Sequence, residues 1–597
     1  MKQKKRSEIN EKDTWDLSVL YKNTEAFKEE YKKLKDDIKE IEKYKGKLLE
    51  SADTLLNFLK LEDTLERRLY KLYYYAHLNF DVDTTNAKSL ELTAEISQLI
   101  TIYSTLTSFV DPELLKAEYA KILRFYEEKP ELLTYRFNLE DLYRYKKHTL
   151  KENAEKILST LSEALNASDE IYESLTDSDL TFGNIVVDGK RVEFTESNYS
   201  TFIESNDRKV RQKAFNILFK NYQKYIHTIA NTFRFHVETA SKLAKLKHYE
   251  SSLTASLFQE NIDIKVYENL IKTVRKNLST LYDYYNLKKE VLGLDKLHLY
   301  DIYANMVLDI DVKYTFDEAK NIVLDALGIL GTDYQKKLTK AFNNRFIDIY
   351  NNKGKRSGAY SSGFYDTPPY ILLNYEGGYS DLTTLAHELG HSMHTMYSCE
   401  NNPYNTSSYQ IFVAEVASTV NELLLLKYLL KKTDSKKEKL FLLNKLLELF
   451  KGTIFRQTMF AEFEKNMYES HEKGIVLTPE YLNREYYKLV CDYFGRDVVK
   501  DKLIQYEWMR IPHFYYNFYV YKYAIGLSAA CKIVHDIELN GEKAISNYLA
   551  FLKTGGSMYP SEELKIAGVD ISSPEFIEEA IFMFKETISE FREIYRK

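Results

Sequence analysis

Residues 383–395 of this 597-residue chain read TTLAHELGHSMHT, in a stretch of helical character. His387, Glu388 and His391 form the pattern H-E-x-x-H. Residues four apart lie on one face of a helix, so both imidazole rings can point at a single cation with Glu388 beside it. The spacing therefore predicts a zinc site. The alternative is two surface histidines on an acidic helix.

A catalytic zinc needs a third protein ligand and one open position. Residues 412–418 read FVAEVAS, in which Glu415 is the single charge. A charge in such an apolar helix start is costly unless it is paired or coordinated, which makes Glu415 the predicted third ligand. A helix cap or a lysine partner is the alternative. Glu422, two turns further on the same face, is predicted to accept the free ring N–H of a ligand histidine.

Two other histidines resemble parts of this pattern. His394 lies three residues after His391 and is predicted to be a packed side chain, since a fourth protein ligand would close the open position. His471 and Glu472 start the same motif, but Ile475 stands where the second histidine belongs. We therefore expect neither histidine to bind the metal.

The composition favours long helices over many short strands. Apolar residues make up 44 % of the chain, whereas only 20 glycines and 9 prolines are available for turns. Residues 24–41 show the apolar period of an amphipathic helix, and similar patterns recur along most of the chain. Residues 182–194 read instead as a β-hairpin, and residues 353–379 as turns with a strand. The prediction is a mainly α protein with a small β element.

The hairpin also marks the predicted domain boundary. Helical periodicity stops before it and resumes from residue 210. We therefore expect an N-terminal helical region over residues 1–195 that ends in the hairpin, and a second domain over residues 196–597.

Charge and cysteine content limit the partners and the compartment. The net charge of -6 indicates neither nucleic acid nor an anionic membrane as a partner. Three widely spaced cysteines are unlike a disulfide framework, and no apolar run reaches the roughly 20 residues of a membrane span. Residues 1–6 are basic, but residues 7–16 are polar where a signal peptide would be apolar. We expect a cytoplasmic protein.

Residues 511–527 read IPHFYYNFYVYKYAIGL and contain candidate hydrogen-bond donors. Zinc-dependent peptide hydrolysis generates an oxyanion, which a preorganised donor stabilises by about 3–4 kcal/mol. A helix that starts near Pro512 would place the candidates on one face. These candidates are His513, Tyr516, Tyr519 and Tyr523. The alternative is an ordinary aromatic core stripe in a tyrosine-rich chain.

The segment before the metal motif is predicted to bind substrate. Extended peptides commonly pair with an edge strand through backbone hydrogen bonds, and residues 370–373 are the candidate strand. Gly377 and Gly378 would allow a loop to close over the substrate, or form a plain turn.

Three segments together resemble the oligoendopeptidase F family, relatives of thimet oligopeptidase. They are residues 387–394, 412–422 and 512–526, and residues 15–17 and 356–360 are also similar. The resemblance implies a mainly α-helical, clam-shaped or prolate zincin metallopeptidase, whose N-terminal helical region covers a deep channel for short unfolded peptides. It also implies specific site residues: one zinc on His387, His391 and Glu415, Glu388 as general base, and the histidine and tyrosines of residues 511–523 near the substrate.

The predicted function is therefore a zinc-dependent endopeptidase that hydrolyses internal bonds of short oligopeptides. Zinc would lower the pKa of its bound water, and Glu388 would take the proton as that water attacks. A zinc carboxypeptidase or dipeptidase is the first alternative, with Arg510 available for a terminal carboxylate. An inactive helical peptide-binding protein is the second.

Overall fold

The computed structural model describes residues 3–307 and 312–597, and about 71 % of the chain is helical. The mainly α prediction is confirmed. The first thirteen helices are α1 (Thr24–Asp37), α2 (Ala52–Asp81), α3 (Ala87–Thr107), α4 (Val110–Leu114), α5 (Tyr119–Glu128), α6 (Arg136–Arg144), α7 (Glu152–Thr160), α8 (Ser162–Glu173), α9 (Tyr199–Ile203), α10 (Arg208–Lys224), α11 (Ile226–Leu246), α12 (Ser252–Phe258) and α13 (Ile264–Lys276). The others are α14 (Leu278–Val291), α15 (Phe316–Ala326), α16 (Thr332–Asn343), α17 (Tyr379–Asn401), α18 (Ile411–Lys432), α19 (Lys436–Phe450), α20 (Gln457–Glu472), α21 (Pro479–Phe494), α22 (Tyr521–Asn540), α23 (Glu542–Leu552), α24 (Pro560–Ile566) and α25 (Glu575–Arg596).

Seven short strands form three small sheets in the described residues. The strands are β1 (Asn184–Val187), β2 (Lys190–Glu193), β3 (Leu297–His298), β4 (Ile347–Asp348), β5 (Tyr360–Ser362), β6 (Tyr370–Leu372) and β7 (Val498–Val499). β1 and β2 pair antiparallel and confirm the predicted hairpin. Asp188 and Gly189 in its turn both have positive φ, as a type I′ turn requires. β3 pairs with β7, and the third sheet has the order β4-β6-β5.

The chain divides into two compact units, each made of three segments. The first unit comprises Met1–His148, Asp311–Tyr428 and Ile533–Gly568, and the second comprises Thr149–Ile310, Leu429–Lys532 and Val569–Lys597. The first boundary thus follows His148, and the β1–β2 hairpin belongs to the second unit. The division into a helical region over residues 1–195 and a catalytic domain over residues 196–597 stays a prediction.

The sheet β4-β6-β5 is anchored in the core of the first unit. Tyr370 and Leu372 of β6 belong to the same buried cluster as the apolar faces of α1, α2 and α3. The Trp15 ring packs edge-on against Tyr370 with centroids 5.8 Å apart, and the Tyr370 hydroxyl donates to the Asp16 carbonyl (2.6 Å). The N-terminal helices therefore hold this sheet in place.

No helix in the described ranges combines the length and the apolar content needed to cross a bilayer. The first two residues of the basic N-terminal stretch lie outside the described part of the chain.

Candidate metal centre and active site

The predicted metal ligands come together in the first unit. α17 carries His387 and His391, and α18 carries Glu415. The two histidine Nε2 atoms lie 3.2 Å apart, and Glu415 Oε2 lies 3.4 Å from Nε2 of His387 and 3.7 Å from Nε2 of His391. These three side chains, the metal group, are the one set in the described residues with the geometry of a metal site.

The spacing of the metal group fits a zinc ion. Tetrahedral zinc with bonds of about 2.0–2.1 Å separates its ligand atoms by about 3.3–3.4 Å, and the three observed separations bracket this value. Two imidazoles and one carboxylate are also a donor set of catalytic zinc sites with an open position. The chemistry and the geometry of these residues therefore agree.

Neighbouring groups orient both histidine rings. The Nδ1 of His387 lies 2.6 Å from the Glu422 carboxylate, which is the contact predicted from the helical spacing. Burial opposes protonation of His387, but this hydrogen bond and the negative charges of Glu422, Glu388 and Glu415 together outweigh it and raise the pKa of His387. Burial and the adjacent His387 lower the pKa of His391 to about 4, and the Ala414 carbonyl is its hydrogen-bond partner. His391 is therefore neutral near pH 7, the form that binds a metal.

Glu388 lies beside the metal group and is almost buried, with 7 % of its surface exposed. Burial raises the pKa of Glu388 to about 7, against the opposing charge of His387, while the backbone N–H of Ser361 donates to its carboxylate. Ser361 belongs to β5, and its hydroxyl also lies 2.8 Å from the hydroxyl of Ser392 on α17. The strand thus holds Glu388 in position, and a cation on the metal group would favour its ionised form.

Gly390 allows the two ligand-bearing helices to approach closely. A Cβ on Gly390 would lie 2.5 Å from the Ser418 Cα and 2.8 Å from the Ala417 carbonyl oxygen, both on α18. Such backbone contacts cannot yield without separating the helices. The glycine inside the motif therefore sets the distance between the histidines and Glu415.

Gly390→Ala is expected to weaken metal binding by about 10-fold or more and to destabilise the fold by about 1–3 kcal/mol, because α17 and α18 must move apart. Chelator competition and thermal unfolding measure the two effects. Gly526→Ala is the matched control, since a Cβ on this helical glycine would meet no group from another part of the described chain within 4 Å. Wild-type metal affinity in Gly390→Ala would show that the close approach is not required.

The predicted edge strand at residues 370–373 is wrong. β6 lies in the centre of its sheet, where it pairs with β4 on one side and β5 on the other. An unbroken apolar run is typical of a strand with buried faces, and such a run does not specify its neighbours. The edges are β4 and β5.

The N-terminal segment covers the β4 side of this sheet. The Ile349 N–H donates to the Asp13 carbonyl (3.0 Å), and the Asp16 N–H donates to the Arg345 carbonyl (2.9 Å). Arg6 forms an ion pair with the fully buried Asp348 of β4. β5 is therefore the edge of this sheet that the N-terminal segment leaves uncovered.

A cleft of about 500 Å³ lies beside the metal group, a size typical of binding sites. His387, Glu388 and Glu422 form one wall, and Gly358 and Ala359, just before β5, form part of another. The backbone just before β5 and the side chain of Glu388, the predicted base, thus line the same cleft.

The glycines before α17 form a plain turn. The carbonyl of Gly377 accepts the Tyr314 N–H (2.9 Å), and the Gly378 N–H donates to the Asp381 carboxylate (2.8 Å). These contacts cap the start of α17. Of the two alternatives for this pair, the structure agrees with the turn.

The aromatic residues predicted on one helix face belong to the second unit and contact one another. We call His513, Tyr516, Tyr519 and Tyr523 the aromatic group. The His513 Nε2 lies 3.2 Å from the Tyr523 hydroxyl, and its ring lies 5.5 Å from Tyr516 and 6.2 Å from Tyr519. The prediction of one continuous helix is wrong, because a 3₁₀ helix (Pro512–Tyr515) ends before α22 begins at Tyr521.

The contacts of His394 and Arg510 indicate structural roles for both side chains. His394 is fully buried and stacks on Tyr409 with centroids 3.6 Å apart, and burial lowers the pKa of His394 to about 3. This confirms the prediction of a packed histidine. Arg510 donates to Glu196 (2.8 Å) and lies over the Tyr199 ring. Its charge is therefore already paired.

Sequence reasoning missed the polar residues that join these elements. Asn421, on α18, donates to the Ala386 carbonyl of α17 (3.1 Å) and accepts from the Tyr334 hydroxyl (2.9 Å). Ser361 and Ser392 join β5 to α17 in the same way. An asparagine one residue before Glu422, inside an apolar helix, was the one available signal.

Comparison with known proteins finds similar peptidases over nearly the whole length of the chain. Residues 201–583 match the sequence profile of peptidase family M3, and residues 113–182 match that of oligopeptidase F. The chain is 44 % identical to oligopeptidase PepF of Bacillus subtilis, over 99 % of this chain and 88 % of that protein. A Chlamydophila abortus protein of known crystal structure is 38 % identical with a TM-score of 0.93, over 99 % of this chain and all of that one. Oligoendopeptidase-F from Enterococcus faecium is 34 % identical with a TM-score of 0.74, over 96 % and 99 % of the two chains.

Proposed function

This chain belongs to peptidase family M3, and from that membership we propose that the metal group holds one zinc ion and that Glu388 is the general base of its peptidase reaction. The protein is a metalloendopeptidase that acts on oligopeptides. The observation that carries the site assignment is the convergence of His387, His391 and Glu415 within 4.8 Å of one another, with Glu388 adjacent in the helix.

The proposed reaction uses Glu388 to move one proton twice. When bound, zinc supplies a Lewis acid that polarises the scissile carbonyl and lowers the pKa of water. The Glu388 carboxylate takes the proton from the attacking water and then delivers it to the leaving amine nitrogen. A buried carboxylate held by the Ser361 N–H keeps a fixed orientation through both transfers.

The backbone before β5 is proposed to bind the substrate as an extended strand. Gly358 and Ala359 border the same cleft as Glu388, and β5 forms an edge of its sheet. Backbone hydrogen bonds at such an edge do not depend on the substrate's side chains. This agrees with an enzyme that accepts many oligopeptides.

The aromatic group is proposed to donate hydrogen bonds to the substrate and to the developing oxyanion. The support is its chemistry: one imidazole and three phenols lie within ring contact, and His513 and Tyr519 are partly exposed. Burial lowers the pKa of His513, so its ring is neutral near pH 7 and offers one N–H.

Cleavage of a defined peptide ladder tests the proposed metal chemistry. The purified protein is incubated with peptides of about 5 to 20 residues, with and without phenanthroline, and the products are identified by mass. We expect internal cuts that stop with the chelator and return with added zinc. Stepwise trimming from the C-terminus would favour a carboxypeptidase, for which the paired Arg510 offers no free charge. Cleavage that continues at full rate in phenanthroline would contradict the metal site.

Metal identity and the role of the N-terminal region are proposed as well. We propose zinc rather than another divalent ion, because two imidazoles and one carboxylate most often select zinc. We also propose that residues 1–195 cover a substrate channel. Metal analysis of protein purified without added ions checks the first. Cleavage by the full-length chain of a short peptide, compared with the same sequence inside a folded protein, checks the second.

The cytoplasm is the proposed location. None of the three cysteines, all of which lie in the described ranges, forms a disulfide bond, which agrees with a reducing compartment. Fractionation of the source cells, with detection of the protein in each fraction, checks this proposal.

A further inference from the structure

Two consecutive residues between the 3₁₀ helix and α22 have left-handed backbone geometry. The φ angles are 46° at Asn517 and 62° at Phe518. Asparagine tolerates this region, but a bulky aromatic residue there is a genuine outlier. Such strain persists only where the surrounding structure holds it, and it clusters at functional sites. The contacts that hold this turn are therefore informative.

One buried carboxyl holds the Phe518 half of the turn. The Phe518 N–H donates to Oε1 of Glu464, on α20, at 2.6 Å. Glu464 is fully buried, and within the described ranges its second oxygen has no hydrogen-bond partner. Burial raises the pKa of Glu464 to about 8. Burial makes this an unfavourable place for a carboxyl group, and its one observed role is to accept the hydrogen bond from the Phe518 N–H.

The Phe518 ring is clamped as well. It is 1 % exposed and contacts the rings of Tyr468, with centroids 4.6 Å apart, and Tyr267, at 6.0 Å. Tyr468 lies one helical turn after Glu464 on α20, so one helix holds both the ring and the N–H of this residue.

Two more helices contact the Asn517 half, and a third supports one of them. Its side-chain oxygen accepts from the Tyr468 hydroxyl (2.8 Å) and lies 3.1 Å from Nε2 of His236 on α11. The Nδ1 of His236 lies 2.7 Å from the Asp169 carboxylate on α8. The Asn517 carbonyl accepts from the hydroxyl of Ser256 on α12 (2.7 Å). Four helices, α11, α12, α13 and α20, thus contact the two strained residues, and α8 supports His236.

The turn lies inside the aromatic group and determines its geometry. Tyr516 and Tyr519 flank it directly, and the chain folds back so that His513 and Tyr523 come within 3.2 Å. A relaxed backbone at residues 517–518 would point Tyr519 and α22 in another direction. The contacts of His513 with Tyr519 and Tyr523 therefore depend on the strained turn.

We propose that Glu464, with His236 and Asn517, is a positioning residue of the peptidase: it holds the strained turn and thereby places the aromatic group for the reaction. This inference rests on the proposed role of that group. None of the three residues needs to touch the substrate. Their contribution is to keep donors in place, and a displacement of about 1 Å typically costs about 10²-fold in rate.

Glu464→Ala tests the proposal, with Glu464→Gln as its conservative partner. The alanine removes the acceptor for the Phe518 N–H, whereas the glutamine carbonyl oxygen keeps it. We expect kcat to fall by about 10–100-fold in Glu464→Ala and to stay within about 3-fold in Glu464→Gln, with KM and metal content close to wild type in both. Glu563→Ala controls for the loss of any buried glutamate, because Glu563 is equally buried and also has unpartnered oxygens among the described residues.

A double-mutant cycle with His513→Ala separates positioning from general instability. If Glu464 acts through the aromatic group, Glu464→Ala will lower kcat less in the His513→Ala background than in the wild type. Should Glu464→Ala fail to fold, Asn517→Ala and Asn517→Asp replace the pair, since aspartate keeps the acceptor for Tyr468. We expect the aspartate variant to keep kcat and the alanine variant to lose it.

Three results would overturn the proposal. The first is a wild-type kcat in Glu464→Ala while His513→Ala is impaired, which leaves the role of the aromatic group intact. The second is an equal loss in Glu464→Ala and Glu464→Gln, and the third is strictly additive effects in the cycle. A wild-type kcat in His513→Ala would instead remove the proposed role of the aromatic group, and this inference with it.

Discussion

Glu388→Gln is expected to lower kcat for internal peptide-bond cleavage by about 10²–10⁴-fold and to leave one metal ion per chain. Glutamine has the same shape and still offers an oxygen to the Ser361 N–H, so the helix and the metal group are undisturbed. It has no carboxylate to take a proton from the attacking water. Single-turnover kinetics on a quenched fluorescent oligopeptide, with metal analysis of the same sample, measures both quantities.

Glu472→Gln is the control for this substitution. Glu472 follows His471 in the incomplete second copy of the motif and accepts hydrogen bonds from Ser252 at the start of α12. Its replacement should leave kcat unchanged. Normal turnover in Glu388→Gln would show that another group acts as the base.

The second large effect is expected for His391→Ala, which should lose both the metal and the activity. One of three protein ligands disappears, and the remaining His387 and Glu415 cannot complete the site. We expect the fall in metal affinity to exceed the 10–100-fold that loss of an orienting partner typically costs. Glu422→Gln is expected to cause this smaller loss of metal affinity, because Glu422 contacts His387 and not the metal position.

His394→Leu is the matched control on the same helix. His394 lies three residues further on and packs against Tyr409 and Phe551. The substitution should change thermal stability but keep one metal ion per chain by mass spectrometry. Metal loss in His394→Leu, or tight metal binding in His391→Ala, would contradict the assigned ligands.

The fold class and the metal group were accessible from local sequence patterns. A four-residue spacing on a helix places His387 and His391 on one face in any helical context. Glu415 was found because a charge in an apolar helix start needs a partner, and Glu422 because two helical turns bring it to the same face. All of these arguments span a few residues.

The arrangement of the sheet was beyond such arguments. The run at residues 370–373 predicts a strand, but its position between β4 and β5 depends on pairing with residues 347–348 and 360–362. The segment at residues 13–16 then covers the β4 side, more than 300 positions away in the chain. The periodicity of one segment does not indicate which distant segments it pairs with.

The aromatic group also shows what local sequence patterns leave undetermined. Residue type and spacing predicted which residues form this group, but the predicted continuous helix was wrong. The left-handed turn at Asn517 and Phe518 exists because Glu464, Tyr468 and His236 hold it from distant helices. Asparagine tolerates a positive φ, but no local propensity favours it at the bulky Phe518.

Residue types and short-range spacing are therefore enough to predict a helical metallopeptidase with two histidines and a downstream carboxylate as metal ligands and an adjacent general base. The folded chain alone settles how close α17 and α18 approach at Gly390, which edge of the sheet the N-terminal segment leaves uncovered, and how the aromatic residues are held. The physical reason is range: helix periodicity acts over about four residues, whereas these distances result from packing between segments far apart in the chain.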